Sequence, residues 1–495
     1  MKPKRSRWFL ISLFLAGSAF LLFVGLLGLV WWMGQRGDFS QSRSGREMQQ
    51  WDPPRSRLEE RVPLTNFLSR LPVVVLHTQG QGVSRDYLTR VGIDVFAAGQ
   101  SDLSVSSKAE HSGLATIRYR GSSSARLPKL SYTLHLVDAQ TNQVKASLLG
   151  MPKEEDWVLY APFEDKTLMR DVLAYEMARN SGHYAPRTRF VEVFVNSTSG
   201  PVAASDYEGV YVLMEKIKRG KDRVNISKLE RDDRSEPEIT GGYIVKRDHP
   251  ERDGRRFFTE SGGPYFYVYP NDRSITAEQR SWLTAHFNAF EQVLLGPGFA
   301  DPQSGYAAYL DVMSFIDAHW LIEVSKNVDG FRYSAFLTKD RNGRIRTEPP
   351  WDWNRAFGNA NYYGGGQPEG WYWKRLRPTE ISWHLRLRED PAYLSMSRDR
   401  WKELRRTAFD PQVILRRIDE IALELEGAHQ RNFARWRILG RHVTCNYFVG
   451  STYEEEIRWM KDWIQRRVAW IDSQVDRFPE RESHSPEDRD VSSPF

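Results

Sequence analysis

The sequence predicts an α+β fold preceded by a single N-terminal transmembrane helix. Strand-like runs fill residues 71–250 around one main helix, helical periodicity dominates beyond residue 275, and residues 8–33 form an uncharged apolar stretch. A chain of 495 residues suffices for one large two-lobed domain or for two to three smaller ones. Its 40% hydrophobic and 13% aromatic residues fit a folded body.

The apolar stretch reads WFLISLFLAGSAFLLFVGLLGLVWWM. At about 1.5 Å per residue such a helix spans a hydrocarbon core of about 30 Å with some tilt. Trp8 at one end, and Trp31 and Trp32 at the other, read as interfacial anchors. Lys2, Lys4, Arg5 and Arg7 precede the span and only Arg36 follows closely. The positive-inside rule therefore puts residues 1–7 in the cytoplasm and the body outside it. A cleaved signal peptide is the alternative, but its apolar region usually runs about 7–15 residues. The expectation is a single-pass, membrane-anchored chain.

Residues 34–70 are polar, include Asp52-Pro53-Pro54, and read as a linker. PVVVLH opens the folded body as a buried strand. GLATIRYRGSSS and KLSYTLHLV follow as two strands joined by a Ser-rich turn, with Lys129, Ser131, Thr133 and His135 on one face of the second. DKTLMRDVLAYEMARNSG, residues 165–182, reads as a helix with Asp165 as N-cap and Gly182 as its stop. FVEVFVN, GVYVLMEKI and GGYIVKRD add strands. Residues 251–480 are mainly helical, interrupted by a hairpin, RYSAFLTKD and RIRTEP, turning at Asn342-Gly343. Residues 481–495 read as a disordered tail.

Charge and motifs narrow the function. The net charge of +6 is mild and interspersed, which suits an anionic ligand or a membrane surface, and no nucleic-acid partner is expected. One cysteine, Cys445, excludes an intrachain disulfide and CxxC sites. The chain lacks GxxxxGK[ST], HExxH and GxSxG, and GQGVSR lacks the third glycine of a dinucleotide loop.

One constellation remains. A helix ending near Ser325 runs into Lys326-Asn327-Val328-Asp329, the hairpin follows, and Trp351-Asp352-Trp353 comes directly after it. Protein kinases place a base and a metal-binding amide in such a first loop, and a Mg²⁺-binding acid after the hairpin. Phosphoryl transfer needs hard oxygen ligands at fixed positions. The plainer reading keeps Asp352 as a turn residue bonded to backbone amides or to an indole N–H.

The stretches IRYRGSSS, PKLSYTLHL, WVLYAPFEDKTLMRDVLAYEMARNSG, FVEVFVN, YEGVYVLMEKI, GGYIVKRD, NVDGFRYSAFLTKD and WDWNRAFGN occur in an order that resembles the CotH family, the spore-coat-protein-H-like atypical protein kinases. The resemblance covers about residues 115–360. It implies a kinase-like two-lobed fold, with residues 71–250 as the N-terminal lobe and 251–480 as the helical C-terminal lobe. It also implies ATP with Mg²⁺ or Mn²⁺ as cofactors and phosphorylation of protein side chains.

Residue by residue, the resemblance maps catalytic acids to Asp329 and Asp352, and metal ligands to Asp352, Asn327 and Asn354. Many members carry Asp where this chain has Asn354, so one negative charge is missing. On the nucleotide side it points to Arg118, Arg120 and Lys129 for phosphates, Glu176 for a Lys–Glu pair, and Glu215 at the adenine hinge. The expected partners are a protein substrate, or envelope or coat proteins. The alternative is a catalytically inactive kinase-fold scaffold in cell-envelope or spore-coat assembly.

Overall fold

Alternating inward apolar and outward polar side chains roll the first strands into a closed barrel. The strands are β1 (Val73–His77), β2 (Thr89–Phe96), β3 (His111–Arg120), β4 (Ser131–Val137), β5 (Asp156–Tyr160), β6 (Thr188–Asn196) and β7 (Tyr207–Glu215), in the order β1-β2-β3-β4-β5-β7-β6. Val74, Ile93, Ile117, Leu134, Trp157 and Val193 are among the side chains that meet inside. Burying an aliphatic side chain of this kind contributes roughly 1.5–3 kcal/mol each. The sequence reads these segments as a sheet. It closes because β1 and β6 pair in parallel, with Val73 opposite Glu192 and His77 opposite Asn196.

The computed structural model describes residues 63–64, 67–99, 108–122, 124–248, 255–380 and 382–477. The N-terminal segment 1–7, the membrane segment 8–33, most of the linker and the tail 481–495 lie outside the described residues. Among those described, no helix is long and apolar enough to cross a membrane.

On β3 the alternation that buries Ala115 and Ile117 inside turns Arg118 and Arg120 outward, opposite Thr133 and Ser131 of β4. Gly121 follows at φ +115, where a Cβ would stand 2.1 Å from Ser124 Oγ, so this turn requires glycine.

Helix α1 (Arg170–Asn180) is shorter than the expected 165–182. Leu168 at φ +67 cannot belong to a helix, and Asp165 instead accepts the Thr167 and Arg170 N–H groups at 3.0 and 2.8 Å. Gly182, at φ +95, stands just past the end as expected.

A second sheet runs β12-β11-β8-β10-β9, from β8 (Tyr243–Arg247), β9 (Arg256–Phe258), β10 (Pro264–Tyr269), β11 (Ala335–Lys339) and β12 (Ile345–Arg346). GGYIVKRD therefore does not extend the first sheet. Its strand β8 pairs with β11, Leu337 opposite Val245. The hairpin β11–β12 forms as the Asn342-Gly343 turn predicts, with Thr338 opposite Arg346 and Asn342 at φ +53. An antiparallel hairpin returns its free ends to one place, so the segments before residue 335 and after residue 346 are neighbours.

Helices surround these sheets: α2 (Ala277–Leu295), α3 (Val312–Ser325), α4 (Ser382–Leu387), α5 (Pro391–Leu404), α6 (Pro411–Glu424), α7 (Ala428–Arg435) and α8 (Tyr453–Gln474). Thr276 and Gln279 form a capping box at the start of α2. The nearly all-round apolar α3 is buried, with Trp320 donating its indole N–H to the Ser397 carbonyl at 2.8 Å.

Candidate active site

The end of α3 and the segment after the hairpin are tied together by three hydrogen bonds. Lys326, at φ +47, breaks the helix and lets the chain turn. Asn327 donates Nδ2–H to the Asp352 carbonyl at 3.2 Å, and its Oδ1 accepts the Asp329 N–H at 3.2 Å. Ser325 accepts the Trp353 indole N–H on its hydroxyl at 2.9 Å and the Phe357 N–H on its carbonyl at 2.7 Å. The sequence assigns Asn327 to the metal, but here its amide N–H ties the two loops and its Oδ1 braces its own loop at Asp329.

Asp352 itself has φ +71, a left-handed conformation in which acidic residues are among the tolerated ones. The flanking indoles explain how it is held. Trp351 stacks on Tyr175 of α1 with centroids 6.2 Å apart, and Trp353 is buried at 5% exposure. The loop is further gripped by α1. Tyr175 OH accepts the Asp352 N–H at 3.2 Å, Asp171 Oδ1 accepts the Trp353 N–H at 2.8 Å, and Arg170 Nε donates to the Ala356 carbonyl at 3.0 Å.

The Asp352 carboxylate stays open to solvent. Its residue is exposed, yet enough protein surrounds it that desolvation pushes its pKa up. Arg355 opposes that shift, while Asp329 and Asp248 add to it. Among the described residues Ser334 Oγ, at 3.4 Å, is the hydrogen-bond donor to it. Asp329 stands between two guanidinium groups, Arg332 at 3.4 Å and Arg355 at 3.5 Å, with its side chain 21% exposed.

Asn354 donates Nδ2–H to Glu164 Oε2 at 2.8 Å, which turns its Oδ1 away from Glu164. Glu164 is buried in the loop between β5 and α1, and its other oxygen lies 3.5 Å from Arg355 Nη2. Burial raises its pKa against the pull of Arg355. Sequence reasoning missed Glu164, Arg355 and Asp171. Their charges are visible in FEDKTLMRD and WDWNR, but nothing in either stretch says that they meet.

Above Trp351 the Arg120 guanidinium lies 5.2 Å from the ring centroid, and its charge lowers the Asp352 pKa. Arg118, exposed on the same face of β3, and Arg120 both act on Lys216, which follows β7. Burial, with these neighbouring cations, lowers the Lys216 pKa, and Asp156 at 3.9 Å opposes it. Lys216 is a cation of this wall that sequence reasoning did not single out.

Three expected nucleotide residues are placed elsewhere. Lys129 is 2% exposed, donates to the Val210 carbonyl and to Asn432 Oδ1 of α7 at 2.9 Å, and lies over the Tyr211 ring. Burial lowers its pKa to about 7. Glu176 is bidentate to Arg417 of α6 at 2.7 and 3.0 Å, so it makes no Lys–Glu pair with Lys129. Glu215 is fully buried, accepting from the Arg187 N–H and guanidinium at 2.9 and 2.7 Å and from Tyr184 OH at 3.2 Å. These residues fasten the barrel to its surroundings.

The family model described as CotH kinase protein matches residues 117–471. The chain belongs to that family. No curated protein matches it. The matched region runs from β3 to the last turn of α8, and so contains both acid loops, Glu164 and the cationic strand face.

The donor set fits a divalent metal. Asp352 offers an open carboxylate, and Asn354 Oδ1, two residues on, is a second hard oxygen. The other acidic cluster, Glu154, Glu155 and Asp156, is already answered by Lys218 Nζ at 3.1, 2.7 and 2.8 Å. In the same motif Gly358 is required by packing, because a Cβ there would lie 2.7 Å from Trp463.

Proposed function

We propose that the chain is a divalent-metal-dependent protein kinase that transfers phosphate from ATP to protein side chains. The observation that carries this reading is the placing of the open Asp352 beside the Asp329–Arg355 pair, with Arg120 of β3 over the neighbouring Trp351 ring. Asp352, with Asn354, is the group to hold Mg²⁺ or Mn²⁺. When bound, the metal neutralises charge on the phosphates. Arg120, Arg118 and Lys216 are suited to hold phosphate oxygens. Asp329, fixed by Arg332 and Arg355, is suited to accept the proton of an acceptor hydroxyl. Phosphoryl transfer asks mainly for such positioning and electrostatics.

One observation favours the second reading, an inactive scaffold in envelope or coat assembly. The expected Lys129 and Glu176 are committed to structural partners. Calorimetry of Mg²⁺–ATP binding separates the two. Nucleotide binding that requires metal and is lost in Asp352→Asn supports the kinase, and metal-independent binding or none supports the scaffold.

The chain is further proposed to be anchored through residues 8–33, with its body outside the cytoplasm. The support is the uncharged span with Lys2, Lys4, Arg5 and Arg7 before it. Protease added to spheroplasts with an intact cytoplasmic membrane then degrades the body. Protection of the body would instead place it in the cytoplasm, where ATP is abundant.

A further inference from the structure

The Arg355 guanidinium stands where three carboxylates converge. Its Nη1 lies 3.5 Å from Asp329 Oδ2, its Nη2 lies 3.5 Å from Glu164 Oε1, and it is the cation that acts most on Asp352. Tyr362 OH accepts from Nη1 at 3.0 Å and fixes the fork. Arg355 is 9% exposed and Glu164 is 5% exposed. A charge so placed persists when it is paired, and removing one partner strands the others. Arg355 is therefore a fixed component of the centre.

The neighbouring side chains support the same assignment. Asn354 presents its N–H to Glu164, which suits a carboxylate bonded to protein rather than to a metal. Two further acids lie near Asp352, and each has another commitment. Asp248 pairs with Lys246 at 2.8 Å, and Asp171 holds the Trp353 N–H. Kinase centres commonly hold two Mg²⁺ ions with the DFG acid and the catalytic-loop amide. Here the catalytic-loop amide, Asn327, bridges the two loops instead.

We propose that Arg355 is the built-in second cation of this centre, so that the chain takes one divalent ion, on Asp352 and Asn354, in place of two. The inference rests on the kinase reading above. Arg355 already pairs with Asp329 and Glu164, which leaves the open Asp352 carboxylate, with Asn354 Oδ1 near it in the chain, to take a divalent ion.

The test counts Mn²⁺ bound to the full-length chain in the presence of AMP-PNP, by electron paramagnetic resonance with equilibrium dialysis. The expected result is one ion per bound nucleotide in the wild type and in Arg355→Lys, and two in Arg355→Met. Circular dichroism verifies that each variant is folded. Two ions in the wild type overturn the inference and leave the kinase reading intact. One ion in a folded Arg355→Met also overturns it. No bound Mn²⁺ in the wild type overturns the inference and the kinase reading together. The wild-type count decides the point even if Arg355→Met fails to fold.

Discussion

Asp171, in the first turn of α1, accepts the backbone N–H of Trp353 at 2.8 Å, while its buried Oδ2 has no hydrogen-bond partner among the described residues. The helix thereby holds the residue next to Asp352, and Tyr175, one turn on, holds Asp352 itself. Asp171→Ala leaves the buried Trp353 N–H unsatisfied, which costs about 1–3 kcal/mol. Chemical denaturation should read that loss, and metal affinity at Asp352 should fall with it.

The pH dependence of the same residue has a definite sign. Burial, aided by the charge of Asp352, raises the Asp171 pKa from 3.8 to about 7. The folded state therefore holds a proton that the unfolded state has lost, and stability falls as pH rises through that window. Asp171→Asn keeps an acceptor for Trp353 but cannot ionise. Melting temperatures from pH 4 to 8 should show wild type losing stability relative to Asp171→Asn as pH rises. Parallel curves would refute the assignment.

His183 behaves oppositely. Burial pulls its pKa down, but hydrogen bonds with Asp317 at 2.7 Å and Glu348 at 3.3 Å outweigh it and raise the pKa from 6.5 to about 9. The charged imidazole ties the end of α1 to α3 and to the segment leading into Asp352. It lines a cavity of about 50 Å³ shared with Ser334 and Trp353. Its stabilisation is complete below pH 6.5 and disappears as pH rises through about 9. The melting-temperature gap between wild type and His183→Gln should shrink across that range.

Lys129 provides a test of placement. Its amine is enclosed by the Val210 carbonyl, Asn432 and the Tyr211 ring. Lys129→Ala should lower stability by about 2–5 kcal/mol, comparable to other large-to-small changes in a core. Metal binding at Asp352 should persist in the folded fraction. Loss of metal binding without loss of stability would return Lys129 to the active site.

The sequence discloses what is local and hides what is distant. Asn342-Gly343 marks the turn between β11 and β12, with Asn342 in the left-handed conformation that this dipeptide favours. The Trp351-Asp352-Trp353 triplet announces a held carboxylate, and the structure supplies the holding partners, Tyr175 and Ser325. Closure of the barrel depends on pairing Val73 with Glu192, far apart in the chain, and no local pattern specifies it. Lys129 was misplaced for a related reason. Strand alternation sorts it with Ser131 and Thr133, but cannot reveal that α7 places Asn432 against it. Arg355 and Glu164 are ordinary charges until the fold brings them within 3.5 Å.

Phosphate transfer by the full-length chain, wild type against Asp352→Ala, is the most direct test of the central claim. Labelled ATP would be supplied with Mg²⁺ or with Mn²⁺, and autophosphorylation and melting temperature followed together. The account predicts transfer in the wild type and loss of at least about 100-fold in the variant, with a cooperative melt retained although alanine is disfavoured at the Asp352 φ of +71. Equal transfer by the two proteins, or none by the wild type with either metal, would contradict it.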